Sequence, residues 1–179
     1  MNILGTITDQ DIDPAAPEAD RSGYFHRHAA RAIVLDGAKV ALLKASKNGY
    51  YKLPGGGMEG DEDPVEAVRR EAQEEIGCDI DVIAEVGQTE EYRDKKQFWQ
   101  SSYCYVAAVS GDPGEPNYTR HELDEGFQVV WAETVDEALE LVESAEPNDY
   151  AAKFIQLRDS ILLSMAIELL PSPDILRNL

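Results

Sequence analysis

The chain has 179 residues, of which 43% are hydrophobic and 28% are charged, and its formal net charge is −19. This length suits a single globular domain, and the apolar residues spread along the chain exclude a wholly disordered protein. The negative charge repels phosphate backbones and anionic lipids, which argues against a nucleic acid polymer or a membrane as partner. A small phosphorylated ligand would need its charge neutralised by metal.

Cysteine content and the N-terminal sequence bear on the cellular compartment. Cys78 and Cys104 are too few for a disulfide framework and lack Cys-x-x-Cys spacing, so free thiols in a reducing compartment are expected. The N-terminus has no basic segment followed by a long apolar run, and no stretch of about 18 uncharged apolar residues occurs. The sequence therefore predicts a cytoplasmic protein.

The N-terminal segment, residues 1–22, is expected to be an exposed and flexible arm. From Asp9 to Ser22 it combines acidic residues and alanines with two prolines, a composition typical of linkers. We expect a single folded domain over residues 23–170 and a C-terminal tail over residues 171–179.

The domain opens with three strand-like segments separated by Asp36-Gly37 and Asn48-Gly49, dipeptides that favour hairpin turns. These segments predict an antiparallel meander at residues 28–36, 39–46 and 50–54. Apolar periodicity then predicts a helix at 64–76, strands at 81–93, 98–110 and 127–132, and helices at 134–143 and about 150–170. This order of elements favours an α/β (α+β) fold with a mixed β-sheet between helices.

The last predicted helix is apolar on much of its surface but contains charged residues such as Lys153, Arg158 and Asp159. These charges exclude a membrane span. The helix is therefore expected to serve as a core element or as the interface of a homodimer.

The helix at residues 64–76 has well-marked ends. Asp63 is its expected N-cap, Pro64 its first residue and Glu66 the second half of a capping box. Gly77 follows the last turn, where glycine commonly ends a helix.

One face of this helix carries three crowded carboxylates. At about 100° per residue, Glu71, Glu74 and Glu75 fall together beside an apolar stripe that would pack on the sheet. They repel one another near the negative end of the helix dipole, so a helix selected only for stability would avoid them. Hard cations such as Mg²⁺ or Mn²⁺ reverse that penalty, because they prefer carboxylate oxygens. The alternative is a solvated acidic face with Arg69 and Arg70 as local partners.

A glycine-rich turn, Gly55 to Gly57, precedes this helix and lets backbone carbonyls approach a ligand closely. Together the turn and helix resemble the Nudix hydrolase family. Its signature is Gly, five residues, Glu, seven residues, then Arg-Glu-aliphatic-x-Glu-Glu-x-Gly-aliphatic. The seven fixed positions are matched by Gly56, Glu62, Arg70, Glu71, Glu74, Glu75 and Gly77, and Cys78 stands at the closing aliphatic position.

The resemblance implies a Nudix-like α/β/α sandwich and a metal site. Glu71, Glu74 and Glu75 would hold Mg²⁺ (or Mn²⁺), assisted by a backbone carbonyl of Gly55 or Gly56.

Other motif residues are expected to support this site. Arg70 would orient the motif glutamates, with Glu62 as its salt-bridge partner. Gly77 would be structural, and Glu59 would add an acidic group on the substrate side.

The general base belongs to the motif in some family members, which here would be Glu74, and to a loop before a late strand in others. The loop candidates are Glu122 and Glu125, of which we favour Glu122; the alternative is that both are surface acids. His121 beside them could touch phosphate.

Aromatic residues on the strands could stack on the base and sugar, and Tyr51 is predicted to bind substrate. The other candidates are Phe25, Tyr50, Trp99 and Tyr103. Asn148, in the turn before the last helix, is similar in placement to residues that read a purine edge in some relatives.

The implied activity is hydrolysis of a phosphoanhydride bond in a small-molecule nucleotide, with an NTP or oxidised NTP favoured as substrate. ADP-ribose or a dinucleoside polyphosphate is the alternative, although residues 88–94 lack the proline that marks many ADP-ribose hydrolases. From another class, the chain could be a non-catalytic Nudix-fold nucleotide-binding module, against which the intact glutamates argue.

Overall fold

A seven-stranded mixed sheet forms the centre of the computed structural model, which describes residues 1–112 and 114–170. Six strands follow the spatial order β1 (Ile3–Ile7), β5 (Asp79–Arg93), β6 (Phe98–Ser110), β2 (Phe25–Asp36), β3 (Lys39–Ala45) and β4 (Tyr50–Lys52). The seventh strand, β7 (Phe127–Ala132), pairs with β3. The helices are α1 (Asp9–Ile12), α2 (Pro64–Ile76), α3 (Arg120–Glu125), α4 (Val135–Glu143) and α5 (Tyr150–Leu169), and Asp94–Lys96 form a 3-10 turn.

Helices cover both faces of this sheet, each over its own apolar cluster. On one face α2 packs through residues such as Ala72 against Val34 of β2. On the other face α4 and α5 pack through residues such as Leu162 against Ile33, the neighbour of Val34. Successive side chains of a strand point to opposite faces, so β2 contributes to both clusters. The predicted α/β/α sandwich with a mixed sheet is confirmed.

The strands predicted from the sequence are all present, with ends that differ by a few residues. β2, β3 and β4 form the expected antiparallel meander. The sequence did not reveal that β2 also pairs in parallel with β6, from Phe25 opposite Phe98 to Leu35 opposite Ala108. This long pairing places the first half of β2 beside the first half of β6.

The expectation of an exposed arm is wrong for the beginning of the chain. β1 pairs in parallel with β5 at the edge of the sheet, and Ile7 is buried. Asp9 is also buried, and its carboxylate accepts hydrogen bonds from the Asp94 backbone N–H and the Tyr150 hydroxyl. The acidic composition hid this docking, because Asp9 is stabilised by partners far away in the sequence.

The last helix is a core element of this chain, since Phe154, Leu162 and Ala166 are fully buried. The tail predicted over residues 171–179 lies outside the described residues. No helix in the part of the chain that the structure describes is long and apolar enough to cross a membrane.

The caps of α2 follow the sequence. The Asp63 carboxylate accepts hydrogen bonds from the backbone N–H groups of Val65 and Glu66. In return, the Asp63 N–H donates to the Glu66 carboxylate. Gly77 ends the helix in the left-handed conformation, with φ of 68°. The position of the glutamates is thus fixed by well-formed helix ends.

Replacing Gly77 with alanine should lower the free energy of unfolding by about 1–2 kcal/mol or more. An L side chain is strained at this φ, and its Cβ would overlap the backbone of Gly114. Urea denaturation followed by circular dichroism measures the change. Gly60→Ala is a suitable control, because its φ is also positive, at 53°, but a Cβ there meets nothing within 4 Å. Equal losses in both variants would show that the contact with Gly114 does not matter.

Candidate active site

The three glutamates of α2 differ in their surroundings. Glu75 is 1% exposed and Glu71 is 8% exposed, although both are acidic. The Glu74 side chain, by contrast, is 42% exposed. A buried carboxylate needs a charged or hydrogen-bonding partner, so the fold must supply partners for Glu71 and Glu75.

The glycine turn lies directly against these two carboxylates. Gly55 has φ of 134°, and a Cβ there would overlap the carbonyl oxygen of Ala30. A Cβ on Gly56 would overlap the carboxylate of Glu71. The turn therefore requires glycine for close approach, and the Gly55 N–H donates to Glu75 Oε2 at 2.7 Å.

Glu75 is balanced by a lysine. Lys52 Nζ lies 2.6 Å from Glu75 Oε1 and also donates to the carbonyl oxygen of Gly55. Burial raises the pKa of Glu75, and the neighbouring Glu71 carboxylate adds to the rise, while Lys52 opposes it. A second positive charge beside Glu71 and Glu75 would therefore stabilise the ionised form of both carboxylates.

Arg70 ties the glutamates to the turn. Its guanidinium makes a two-point contact with Glu62, at 2.7 and 3.1 Å, and donates to the carbonyl oxygen of Gly57 at 3.0 Å. It also lies 2.9 Å from Glu71 and 3.1 Å from Glu74. These hydrogen bonds, Glu62 first, raise the pKa of Arg70. The structure thus places the Arg70–Glu62 pair at the position from which it can orient the motif.

A cavity of about 430 Å³ opens between this turn, the sheet and α5. Its size suits a small-molecule ligand. Its lining combines acidic and basic side chains. The acidic residues are Glu59, Glu71, Glu75 and Glu122, and the basic residues, called the basic side below, are Arg27, Arg31, Lys52, Arg93 and Arg158. Tyr50, Phe127 and Ile155 supply apolar surface.

The structure brings several of the predicted site residues to this cavity. Gly55, Gly56, Glu59, Glu71, Glu75, Glu122 and His121 line it. Glu74 and Arg70 do not line it, and they contact each other beside it.

Two predicted substrate contacts lie elsewhere. Tyr51 packs against the apolar cluster under α4 and α5, and its neighbour Tyr50 lines the cavity instead, because adjacent residues of a strand point to opposite faces. Asn148 contacts the turn between β3 and β4, where its Nδ2 donates to the carbonyl oxygen of Lys47.

The loop that was expected to supply the base is a short helix, α3. Glu122 is its third residue, and Glu122 Oε2 accepts hydrogen bonds from the N–H and the hydroxyl of the cap, Thr119. Glu125 is buried away from the cavity, in contact with Lys47 and Asn48. Of the two candidates, only Glu122 lies at the cavity.

The basic side of the cavity was missed in the sequence analysis. Period-two alternation places Arg27 and Arg31 on the same face of β2, and Arg31 stands within an otherwise apolar run. Likewise, Arg158 and Asp159 interrupt the middle of an apolar helix. A charged residue in such a run is a usable sign of a buried polar site.

The donor set was tested against a divalent metal ion. Within residues 1–112 and 114–170, no three His, Cys, Asp or Glu side chains already converge as a metal-binding cluster. The available donors are nevertheless those of a hard cation, since two buried carboxylates one turn apart face a cavity beside backbone carbonyls. Each of the two carboxylates is paired with a basic side chain, Glu71 with Arg70 and Glu75 with Lys52. In chemical type, the residues fit Mg²⁺ or Mn²⁺.

Comparison with known proteins identifies the family. A family model described as NUDIX domain matches residues 25–154, which is more than half of the chain. The chain belongs to the Nudix family. Within this family, a curated 8-oxo-dGTP diphosphatase from Proteus vulgaris is 47% identical over 38 residues, which cover 21% of this chain and 34% of that protein. The match thus spans about a third of the curated relative's length.

Solved structures show the same Nudix fold. A MutT protein from Methanosarcina mazei Go1 superposes with a TM-score of 0.57 at 18% identity, covering 83% of this chain and 99% of that one. An ADP-ribose pyrophosphatase from Streptococcus suis superposes with a TM-score of 0.51 at 19% identity, covering 78% of this chain and 91% of that one. At these identities the likeness concerns the fold alone.

Proposed function

We propose that this Nudix protein is a metal-dependent hydrolase that cleaves a phosphoanhydride bond of a nucleoside di- or triphosphate derivative. The observation that carries the proposal is the burial of Glu71 and Glu75 at a cavity that is also lined by basic side chains. Buried acids beside a glycine turn suit metal ions, and the basic side suits the phosphates that such ions accompany. Membership of the Nudix family supports the same reaction.

The residues divide the work in this proposal. Glu71 and Glu75 hold Mg²⁺ or Mn²⁺ with help from the Gly55 or Gly56 carbonyl, and Arg70 keeps the glutamates in place. When bound, the metal lowers the pKa of a water molecule and neutralises phosphate oxygens. Glu122 takes the proton from the attacking water, for which Oε1 is available because the cap of α3 occupies Oε2.

Glu74 and Glu59 have lesser parts in this scheme. Glu74 shares Arg70 with Glu71 and would be the more solvent-exposed of the metal ligands. Glu59 contributes charge at the cavity. For substrate binding we propose Tyr50 and Phe127, which line the cavity, instead of Tyr51 and Asn148.

An NTP or oxidised NTP is our favoured substrate. The match to an 8-oxo-dGTP diphosphatase supports it, and residues 88–94 lack the proline seen in many ADP-ribose hydrolases. ADP-ribose and dinucleoside polyphosphates are the competing substrates, and a protein named ADP-ribose pyrophosphatase is among the structural neighbours. Cytoplasmic localisation and a homodimer remain predictions, which cell fractionation and light scattering would check.

A hydrolysis screen tests the proposal. The purified protein is incubated with 8-oxo-dGTP, dGTP, ADP-ribose and diadenosine tetraphosphate, with Mg²⁺, with Mn²⁺ or with EDTA, and products are separated by ion-exchange chromatography. We expect metal-dependent cleavage that EDTA abolishes and that Glu71→Gln lowers by orders of magnitude. Nucleotide binding without turnover under every metal condition would instead identify a non-catalytic Nudix-fold binding module.

A further inference from the structure

The basic side of the cavity includes guanidinium groups that no carboxylate among the described residues pairs with. Arg93 and Arg158 each have a carboxylate partner, Glu91 and Asp159 respectively. Arg27 and Arg31 form no salt bridge with any carboxylate in residues 1–112 and 114–170. In a protein with a net charge of −19, two unneutralised guanidinium groups at one cavity are a specific feature.

Arg31 is held rigidly and is incompletely satisfied. It is 4% exposed, and its Nη1 donates to the carbonyl oxygens of Ala30 and Gly56, at 2.8 and 3.1 Å. Its Nε is buried without a hydrogen-bond partner in the described part of the chain, and the same is true of Arg93 Nε. Burial lowers the pKa of Arg31 to about 10, and the nearby Arg158 adds to this. A buried guanidinium in such surroundings is stabilised by an anion.

Arg27 is positioned by a chain of hydrogen bonds. Its Nη1 donates to Gln100 Oε1 at 3.1 Å, and Gln100 Nε2 donates to Glu91 Oε2 at 2.6 Å. Gln100 and Glu91 are fully buried, so they fix Arg27 from the floor of the cavity. A Cβ on Gly57 would overlap the Arg27 guanidinium, which places Arg27 against the glycine turn. An arginine held in this way loses little conformational freedom on binding a ligand.

We propose that Arg27 and Arg31, with Arg93 beside them, form a phosphate subsite that binds a substrate phosphate beyond the two joined by the bond that is cleaved at the glutamates. Guanidinium groups match phosphate oxygens in geometry and charge. The subsite adjoins the glutamates through one residue, because Arg31 donates to the carbonyl oxygen of Gly56 and a Cβ on Gly56 would overlap the Glu71 carboxylate. This inference rests on the proposed function and narrows its substrate class to linear polyphosphates of three or more phosphates.

The subsite should act without metal, which separates it from the glutamates. Inorganic tripolyphosphate is titrated calorimetrically into the protein in EDTA. We expect Arg27→Gln and Arg31→Gln each to weaken binding by about 10- to 100-fold. Arg69→Gln is the matched control: it removes the same charge from an exposed position of α2 that does not line the cavity, and should change affinity by less than about twofold.

Folding is checked by circular dichroism, since Arg31 is buried. If Arg31→Gln does not fold, Arg27→Gln decides the question, because Arg27 is exposed at the rim of the cavity. Equal affinities of Arg27→Gln, Arg69→Gln and the parent protein would overturn the proposal. Absence of tripolyphosphate binding to the parent would do the same.

Turnover distinguishes the possible sources of the phosphate. With Mg²⁺, the ratio of kcat/KM for dGTP to that for dGDP should fall at least about tenfold in Arg27→Gln but not in Arg69→Gln. If the ratio falls instead for diadenosine tetraphosphate relative to ADP-ribose, the subsite holds the inner phosphates of a dinucleoside polyphosphate. Metal-free binding that depends on the arginines, with no hydrolysis of any substrate, would sink the proposed function and leave the subsite standing. Unchanged ratios for both pairs, with hydrolysis intact, would count against the subsite alone.

Discussion

Replacing Glu75 with glutamine should lower kcat by about 10²- to 10³-fold, whereas the same change at Glu74 should cost much less. Glu75 is buried, lines the cavity and pairs with Lys52. Loss of its charge removes a metal ligand and with it several kcal/mol of transition-state stabilisation. The Glu74 side chain is 42% exposed and lies outside the cavity, so water or a neighbouring carboxylate can take its place.

The two variants form a matched pair, because they make the same chemical change at adjacent positions of one helix. Steady-state kinetics over a range of Mg²⁺ concentrations, on protein shown to be folded by circular dichroism, measures the difference. Glu74→Gln should recover most of its activity at high Mg²⁺, and Glu75→Gln should not. Equal losses at saturating Mg²⁺ would mean that burial of the side chain does not determine how much each glutamate contributes to kcat.

Local signals in the sequence were sufficient for α2 and for most strands. The caps at Asp63 and Gly77 depend on residues within a few positions of the helix ends, and the observed helix has the predicted bounds. The hairpin turns between β2, β3 and β4 are equally local. Such features can be recognised from the sequence because the interacting groups are neighbours in the chain.

The errors share a different physical origin, which is long-range contact. Asp9 looked like part of a linker, yet Asp94 and Tyr150 satisfy its carboxylate. Tyr50 and Tyr51 are adjacent and identical in type, so the local sequence does not distinguish them. The register of β4 against β3 decides which one reaches the cavity.

The basic side of the cavity is the largest omission. Net charge pointed to metal ions as the source of positive charge for a phosphorylated ligand. The charge is an average over the surface, however, and arginines from β2, β5 and α5 meet only when the sheet and the last helix pack together. The proposed phosphate subsite therefore depends on contacts between distant segments of the chain, whereas the motif can be recognised from neighbouring residues.

Replacing Arg158 with methionine should lower the free energy of unfolding by about 3–5 kcal/mol. Arg158 and Asp159 are 1% and 0% exposed, and the guanidinium contacts both carboxylate oxygens, at 2.7 and 3.0 Å. Asp159 Oδ2 also accepts from the Leu53 N–H at 2.9 Å, just before the glycine turn. Without the arginine, the buried carboxylate would keep the hydrogen bond from Leu53 but lose its paired countercharge, which is the costly way to break such a pair.

The double variant Arg158→Met with Asp159→Asn should recover part of that loss, because asparagine can still accept from Leu53 but carries no charge to neutralise. Urea denaturation of the parent, single and double variants gives the coupling between the two residues. Lys39→Met is the control, since Lys39 and Glu133 form an exposed pair that should be worth about 0–1 kcal/mol. If Arg158→Met were no more harmful than Lys39→Met, the Asp159 carboxylate would have to be neutralised by another group. Arg31 is the candidate, because the charge of Asp159 already favours its protonated form. Arg31 would then be paired with Asp159 and would not be free to bind a substrate phosphate. The stability of the Arg158–Asp159 pair therefore also tests the proposed phosphate subsite.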